Sequence, residues 1–420
     1  MAAMIALSDA SIRVDGLLSE KRSLRLAVVT ETYPPEVNGV AHTIECFVRG
    51  LLNRHHEIQL IRPRQVAGGA PRGNGDEGNE SRLSEVLLRG LPIPSYPDLR
   101  MGLPAKSALI KLWSLHRPDV VHIVTEGPLG WSALQAAKRL KLPVTSDFRT
   151  NFHAYSRHYG IGWLRKPIFA YLRKFHNRTD CTMVPTESLK RDLEANGFRN
   201  VAVVARGVDT RRFGPQWRSD ALRGEWGAGP GATVIVSVGR LAAEKNLSAV
   251  IAAYGAMRQV NPDIKLVMVG DGPVREDLQR CCPDAIFAGQ RVGEDLARHY
   301  ASADIFLFPS LTETFGNVTP EAMASGLPVV AYDYAAAAQL IRHEENGLLA
   351  PPGDLPEFIR HSVNLATDRN AVKRMGAAAR ATACDHDWGR VVGHLESILQ
   401  NAANARSLFL ASRSLELKSG

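Results

Sequence analysis

The chain has 420 residues, of which 45% are hydrophobic and 22% are charged, and its formal net charge is +8 at pH 7. This length exceeds what one hydrophobic core usually supports, so it predicts two domains. No run approaches the roughly 20 apolar residues of a membrane-spanning helix. The start lacks the basic segment and apolar core of a secretory signal, and we expect residues 1–23 to be a flexible extension.

The cysteines and the net charge indicate a compartment and a class of partner. The five cysteines form no Cys-x-x-Cys pair and no zinc-like spacing, which fits reduced thiols in the cytoplasm. A net positive charge favours a nucleic acid, a nucleotide or an anionic membrane surface as partner. No nucleic-acid-binding motif is visible, so we expect a nucleotide or a membrane and no nucleic acid.

Buried strands alternate with helical patterns through the first half of the chain. Strands are predicted near residues 24–30, 118–124, 142–146, 182–185 and 200–204, with helices ending near 52 and over 129–141. Glycine, asparagine and charged residues at 67–80 predict a surface loop. The alternation predicts a doubly wound parallel sheet over residues 24–208.

A second series follows a linker-like stretch, rich in Gly, Pro and Arg, at residues 207–232. Its strands are predicted near residues 234–238, 265–269, 285–288, 304–309 and 327–330. We therefore expect a second α/β domain over 209–384. A last helix is predicted over 385–402, and a tail over 403–420.

Two carboxylates, Glu313 and Glu321, stand eight residues apart around a loop that opens a helix. Thr319 is predicted as the N-cap of this helix, Pro320 as its first position and Gly326 as its end. A loop and helix start at the carboxyl end of a strand is a common anion site in α/β folds. Carboxylates would repel a bare phosphate but suit hydroxyl groups, so the combination predicts a nucleotide-sugar.

Two cations, Arg240 and Lys245, follow the first strand of the second domain. Arginine presents a fork of donors and lysine a point charge, and together they neutralise a departing diphosphate. An isolated pair of this kind is often just solvated. The predicted position at the carboxyl edge of the sheet favours contact with phosphate instead.

These motifs resemble those of retaining glycosyltransferases of family 4, which have the GT-B architecture. Glu313 and Glu321 match the family's E-x7-E motif, and Arg240 and Lys245 match its R-x4-K motif. The resemblance covers roughly residues 24–400. It implies two Rossmann-like domains facing a cleft, a C-terminal helix that crosses back to the first domain, and transfer of a hexose with retention of the α configuration.

The branch is suggested by two further segments. Residues 33–40 and the Arg-Gly-Val-Asp sequence at 206–209 are similar to those of GDP-mannose-dependent α-mannosyltransferases and of sulfoquinovosyl and glucosyl diacylglycerol synthases. In many relatives asparagine stands where this chain has Arg206. The resemblance implies a UDP-sugar or GDP-mannose as donor, and it leaves the base open because the family holds the base largely by main chain.

The resemblance also implies roles for individual residues. Arg240, Lys245 and Glu313 are the expected catalytic residues. The expected donor-binding residues are Gly39, Arg240, Lys245, Val292, Glu313, Phe315, Gly316, Asn317, Val318 and Glu321. Glu313 would hold sugar hydroxyls, Glu321 the ribose, and Gly39 would bring main chain close to the phosphates.

Arg149 differs from the residue found in many relatives. They have a histidine at this position, and that histidine helps to place the transferred sugar. Arg149 would serve an anionic donor sugar, an anionic acceptor or the phosphate, and His153 is an alternative source of the imidazole. The candidate sugar or acceptor residues are Glu126, Asp147, Arg149 and His153.

A basic and aromatic segment points to the acceptor. Residues 157–178 contain six Lys or Arg and no acid, with aromatic residues between them. Such a segment suits an anionic membrane surface, but a helix with its aromatics in the core and a solvated basic face is equally compatible. The predicted membrane contacts are Trp163, Arg165, Lys166, Arg173 and Lys174.

We therefore expect a peripheral enzyme on the inner face of the cell membrane that glycosylates a lipid such as diacylglycerol. A polyprenyl-linked or soluble glycan in polysaccharide assembly is the alternative acceptor. An inactive nucleotide-binding scaffold on the same fold is the alternative that is not an enzyme.

No cofactor and no metal are expected. No G-x-G-x-x-G motif follows a strand, which argues against a dehydrogenase. Asp385 and Asp387 have the spacing of a D-x-D metal motif but begin the last predicted helix, where capping is the simpler role. Arg240, Lys245 and helix termini would supply the positive charge that a metal supplies elsewhere.

Overall fold

The computed structural model describes residues 23–36, 39–64, 81–93, 96–149, 165–313 and 315–416. The predicted extension up to residue 22 and the predicted loop at 67–80 lie outside these ranges. Two parallel sheets organise the described chain, one in each half. This confirms the predicted α/β architecture with two domains, while the predicted domain boundaries stay predictions.

The first sheet is built from the first half of the chain. Its strands are β1 (Arg25–Val29), β2 (Glu57–Pro63), β3 (Leu83–Leu88), β6 (Val120–Ile123), β7 (Val144–Asp147), β8 (Cys181–Val184) and β9 (Val201–Val203). Between β3 and β6 the chain forms a separate antiparallel pair, β4 (Gly90–Ile93) and β5 (Tyr96–Gly102). The order is β3-β2-β1-β6-β7-β8-β9, and every neighbouring pair is parallel. Helices α1 (Gly39–Asn53), α2 (Lys106–Leu115), α3 (Pro128–Arg139), α4 (Arg165–His176) and α5 (Glu187–Ala195) connect these strands.

The second sheet has six parallel strands in the described chain. They are β10 (Val234–Val238), β11 (Lys265–Val269), β12 (Ile286–Gly289), β13 (Ile305–Phe308), β14 (Val329–Tyr332) and β15 (Gly347–Ala350), in the order β12-β11-β10-β13-β14-β15. The helices of this half are α6 (Asp220–Glu225), α7 (Leu247–Val260), α8 (Arg275–Cys281), α9 (Gly293–Ala301), α10 (Val318–Ala324), α11 (Ala335–Leu340), α12 (Leu355–Thr367) and α13 (Arg369–Asp385).

The stretch at 207–232 differs from the predicted linker. It contains α6 and a short 3-10 turn at Pro215–Trp217, and Arg223 of α6 is buried. Its guanidinium donates to the carbonyl oxygens of Ser302 and Ala232, both at 2.7 Å. These hydrogen bonds attach the stretch to the domain of the second sheet. Residue composition alone did not indicate this attachment.

The last helix, α14 (Trp388–Glu416), crosses back to the first domain as predicted. Its apolar residues Val391, Val392, Leu395 and Leu399 are buried in one cluster with β1, β2 and α1. The predicted helix at 385–402 and tail at 403–420 need correction, because α13 continues to Asp385 and α14 runs on to Glu416. Asp387 lies between them and accepts hydrogen bonds from Gly389 N and Thr210 Oγ1, which is the expected capping role.

Candidate active site

Lys245 and Glu313 meet at the carboxyl edge of the second sheet. β10 and β13 are neighbours in this sheet, so the loops that follow them leave at the same edge. Lys245 Nζ lies 2.5 Å from Glu313 Oε1, and Ser310 Oγ donates to the same oxygen at 2.8 Å. The lysine side chain is 20% exposed and the glutamate 15%. The R-x4-K and E-x7-E segments therefore supply a cation and a carboxylate at one point.

Arg240 does not join this pair. Its side chain is 63% exposed and forms an ion pair with Glu244 in its own loop. The main-chain oxygen of Glu244 in turn accepts a hydrogen bond from Thr312 Oγ1 at 3.1 Å, which ties the two loops together. Arg240 is thus at the edge of the site, where its ion pair with Glu244 competes with a phosphate for its charge.

Glu321 lies on α10 and is held by Tyr300, whose hydroxyl donates to Glu321 Oε2 at 2.9 Å. Burial raises the pKa of Glu321 to about 7, although the Tyr300 hydrogen bond and the charge of Arg212 oppose the shift. A desolvated carboxyl of this kind is not an ordinary solvated first-turn acid. It is a strong acceptor for ligand hydroxyl groups once it is ionised.

The start of α10 differs from the prediction. The helix begins at Val318, with Asn317 at the N-cap, so Thr319 is inside the helix and its buried hydroxyl has no hydrogen-bond partner. Pro320 is accordingly the third residue of the helix. The predicted end is confirmed, since Gly326 follows the helix with φ +83°.

Arg206 connects the two halves of the site. It follows β9, and its Nη1 donates to Asn317 Oδ1 at 3.2 Å while its guanidinium lies 5.9 Å from the centre of the Phe315 ring. Gly39 lies at the same place, since a Cβ added there would be 3.0 Å from Arg206 Nη1. In the sequence, Arg206 stood out only as a difference from the family motif. Its position at the carboxyl end of a predicted strand, where ligands bind in such folds, could have marked it as a site residue.

Arg149 and Asp147 form a buried ion pair at the end of β7. Arg149 Nε donates to Asp147 Oδ2 at 2.7 Å, its Nη2 donates to Val204 O at 3.3 Å, and its guanidinium lies 5.0 Å from the centre of the Phe47 ring. Burial by itself would raise the pKa of Asp147, but Arg149 and His122 hold it well below its usual range. Arg149 is therefore held by three contacts, and Asp147 favours its ionised form.

Glu126 has its contacts inside the first domain. It is 6% exposed, and its Oε1 lies 3.2 Å from His176 Nε2, on α4. Nearby, burial raises the pKa of Glu31 to about 7, a shift that the charge of Glu126 supports and a hydrogen bond from Leu129 N opposes. Glu126 thus fixes α4 to the sheet. His153 and Trp163, which were also predicted as site residues, lie outside the described residues.

The remaining predicted donor residues line the loops of the second sheet. Phe315 is 1% exposed, Gly316 has φ +90°, and Val292 stands 70% exposed at the start of α9. Gly270, at the end of β11, has φ +136°, and a Cβ there would lie 1.9 Å from Gly239 O, so only glycine fits at this close approach of two loops.

Comparison with known proteins identifies the family. Residues 37–212 match the description Glycosyltransferase Family 4, and residues 232–368 match Glycosyl transferases group 1. A GDP-mannose-dependent alpha-mannosyltransferase of Mycobacterium tuberculosis is 34% identical over 389 residues, which are 89% of this chain and 97% of the relative. The chain belongs to glycosyltransferase family 4.

Another relative is named for the transfer of a different sugar, and solved structures share the fold. The Sulfoquinovosyl transferase SQD2 of Arabidopsis thaliana is 30% identical, over 90% of this chain and 75% of the relative. The solved structure of Anabaena HepE in complex with UDP-glucose matches with a TM-score of 0.66 at 18% identity, over 90% of this chain and 100% of that chain. The structural likeness confirms the GT-B fold, and the relatives confirm an enzyme that moves a hexose from a nucleotide-sugar rather than an inactive scaffold.

The basic helix α4 of the glycosyltransferase divides its residues between core and solvent. Phe175 is fully buried, the Phe169 ring lies 5.3 Å from that of Phe198, and the Tyr171 hydroxyl donates to Glu126 O at 2.5 Å. Lys166, Arg173 and Lys174 are exposed, and Arg173 donates to Asn196 O at 3.1 Å. The described aromatic residues of α4 thus contact the first domain, although Tyr171 stays 39% exposed, and Trp163, the aromatic residue predicted to contact a membrane, lies outside the described residues. The side chain of Arg165 is not described.

Two negative findings hold for the described part of this glycosyltransferase. No group of three or more His, Cys, Asp or Glu side chains there is arranged to hold a metal ion. No helix there is long and apolar enough to pass through a bilayer. Independence from metal stays a prediction.

Proposed function

We propose that this glycosyltransferase moves a hexose from a nucleotide-sugar to a membrane lipid such as diacylglycerol, with retention of the α configuration. The contact of Lys245 with Glu313 carries the proposal. It combines a cation suited to a diphosphate with a carboxylate suited to sugar hydroxyls at the carboxyl edge of the second sheet. Gly39, from the first domain, lies on the other side of the same site.

The proposed reaction needs no nucleophile from the enzyme. The acceptor oxygen forms its bond to the anomeric carbon on the face from which the diphosphate leaves, and a phosphate oxygen takes the acceptor's proton. Charge then accumulates on the diphosphate, so the main demand is for cations there. Lys245 and Arg240 would supply them, Glu313 would hold sugar hydroxyls, and Glu321 would accept from the ribose. The donor would sit mainly on the second domain, with Gly39 approaching it as the domains close.

A lipid acceptor is supported by relatives and by surface charge. The Alpha-monoglucosyldiacylglycerol synthase of Streptococcus pneumoniae is 27% identical over 78% of this chain, and Lys166 and Lys174 are exposed cations on α4. The second candidate acceptor, a polyprenyl-linked or soluble glycan with GDP-mannose as donor, is favoured by the 34% identical alpha-mannosyltransferase, whose name states that donor. The basic surface favours an acceptor in a membrane over a soluble one, and we place diacylglycerol first because one relative is named for its glucosylation.

One assay tests donor and acceptor together. Purified full-length protein is given radiolabelled UDP-glucose, UDP-glucuronate, UDP-galactose or GDP-mannose with diacylglycerol in anionic vesicles. We expect label in the lipid fraction with at least one donor, and an α linkage by NMR of the product. Transfer only to a glycan primer would move the second candidate ahead, and a β linkage would contradict the retaining mechanism.

Transfer is expected to be independent of added metal. Arg240 and Lys245 provide the positive charge at the diphosphate, so Mg²⁺ or Mn²⁺ has no required place there. Initial rates measured with excess EDTA should stay within about twofold of those without it. Loss of activity with EDTA that Mn²⁺ then restores would contradict this expectation.

Binding to anionic vesicles is expected to weaken when α4 loses its free charges. Each basic residue near an anionic surface contributes on the order of 1 kcal/mol, so Lys166→Ser with Lys174→Ser should lower vesicle affinity about 30-fold at low salt. Arg173 is left in place because it also binds Asn196 O. Sedimentation with vesicles containing phosphatidylglycerol measures the effect.

The matched control removes the same charge elsewhere. Lys373→Ser with Arg374→Ser changes two exposed cations on α13, in the second domain. This control should bind vesicles nearly as the unchanged protein does. An equal loss of vesicle affinity in both double variants would mean that only the net charge of the protein matters. If the unchanged protein does not bind anionic vesicles at low salt, the membrane proposal is wrong.

A further inference from the structure

Two buried arginines of the first domain have nitrogen atoms without a partner. Arg149 is 2% exposed and Arg206 is 5% exposed. Arg149 Nη1 and Arg206 Nε are both buried, and neither has a hydrogen-bond partner among the residues that the structure describes. Burying a charged donor without an acceptor is costly, so such atoms beside the candidate site favour a ligand that supplies the missing acceptor.

The charges around the two arginines do not balance. Asp147 pairs with Arg149 at 2.7 Å, and His122 lies 3.6 Å from the same carboxylate. Arg206 has no carboxylate within ion-pair distance among the described residues, and its bonded partner is the neutral amide of Asn317. Burial, together with the charge of Arg149, lowers the pKa of Arg206 to about 9, although Asp147 and Glu313 act the other way. The cluster therefore has one positive charge more than its carboxylate balances.

The two arginines come from a different sheet than the cations assigned to the diphosphate. Lys245 and Arg240 come from the loop after β10, whereas Arg149 and Arg206 follow β7 and β9 of the other sheet. Arg206 lies against Phe315 and Asn317, two residues of the loop whose Glu313 would hold the sugar. Arg206 also borders Gly39, whose main chain is expected near the phosphates, so the test must separate the proposed anion from the diphosphate.

We propose that Arg149 and Arg206 form an anion subsite for an acidic group of the substrate other than the donor diphosphate. The group is a carboxylate or a phosphate, carried by the transferred sugar or by the acceptor. The inference rests on the proposed function for its substrates. A guanidinium suits such oxyanions because its donors form a planar fork, and Arg149 is already fixed by Asp147, Val204 and Phe47.

The test compares acidic and neutral substrates in Arg206→Gln. Arg206 is chosen because changing Arg149 would leave Asp147 buried without its partner, and such a variant is prone to misfold. Calorimetry measures binding of UDP, UDP-glucose and UDP-glucuronate by the full chain. A second arm, with UDP present, measures binding of short-chain phosphatidic acid and of the matching diacylglycerol. Arg206→Lys keeps the charge, and Arg211→Gln removes an exposed arginine from the same stretch.

We expect the unchanged protein to bind the acidic ligand more tightly than its neutral counterpart in one of the two arms. That arm shows whether the acidic group belongs to the transferred sugar or to the acceptor. Arg206→Gln should reduce that preference roughly 10- to 100-fold, the range for losing a hydrogen bond to a charged group. Arg206→Lys should keep part of the preference and Arg211→Gln all of it.

Two results would overturn the subsite. The first is no preference for an acid in either arm with the unchanged protein. The second is an equal loss of affinity for UDP and for all ligands in Arg206→Gln, which would place Arg206 at the diphosphate. Both are binding measurements, so they remain decisive if sugar transfer to lipid is not found. Failure of the transfer assay alone would contradict the proposed acceptor and leave the subsite standing.

Discussion

Glu313→Gln is expected to lower kcat for sugar transfer by at least about 100-fold, the usual cost of removing one group that stabilises a transition state. Glutamine keeps the size of the side chain and can still accept from Ser310, but it no longer attracts Lys245 or accepts strongly from sugar hydroxyls. Glu313→Ala should abolish transfer. Single-turnover assays with saturating donor measure the chemical step.

The matched control for Glu313 is Glu345→Gln. Glu345 is 57% exposed and pairs with Arg342 on the surface, so its loss should change neither rate nor stability appreciably. Thermal unfolding of both variants should stay within a few degrees of the unchanged protein. Full activity in Glu313→Gln, or in Glu313→Ala, would remove the basis of the proposed site.

Lys245→Ala is expected to lower kcat about 100- to 1,000-fold, because the cation acts on charge that develops on the leaving diphosphate. The same change leaves Glu313 without the charge that lies 2.5 Å from it, so both motifs are damaged at once. Affinity for the product nucleoside diphosphate should fall as well. Arg240→Gln should have the smaller effect, since Arg240 is exposed and bound to Glu244.

The control for Lys245 is Lys373→Ala, which removes an exposed lysine of the second domain. Rates with the unchanged protein and the two site variants, measured at several salt concentrations, separate a local effect from one of net charge. A Lys245→Ala enzyme with kcat within about threefold of normal would show that the diphosphate is stabilised elsewhere.

Most of the strands that the sequence predicted have buried residues at nearly every position, although the half-buried strands β9 and β12 were predicted too. β1, β6, β10 and β13 are continuous apolar runs between helices, which is the mark of a parallel sheet covered on both faces. β3 was not predicted, because its residues alternate between half-buried and exposed at the edge of the first sheet. β15, at the edge of the second sheet, and β2, which pairs with β3 in the first sheet, were also missed.

Local chemistry predicted helix ends less well than strand positions. Gly326 was correctly expected to end α10, because a left-handed residue there follows from glycine's freedom at positive φ. Thr319 was wrongly expected to begin it. Asn317 occupies the N-cap, and its side-chain oxygen accepts a hydrogen bond from Arg206 of the other domain instead of capping the helix. The side chain of Asn317 thus bonds to a residue 111 positions away, and a local sequence pattern cannot reveal such a partner.

By itself, the sequence determined the family and the two α/β halves, and it supplied the charged residues that we propose for the donor site. It could do so because the two motifs are short, local and placed directly after predicted strands. Only the tertiary structure decided which of these residues meet. It brings Lys245 onto Glu313, keeps Arg240 apart with Glu244, and gives Glu321 a pKa of about 7. It also buries Arg206 beside Asn317, because burial and contact between distant residues depend on how the two sheets are brought together.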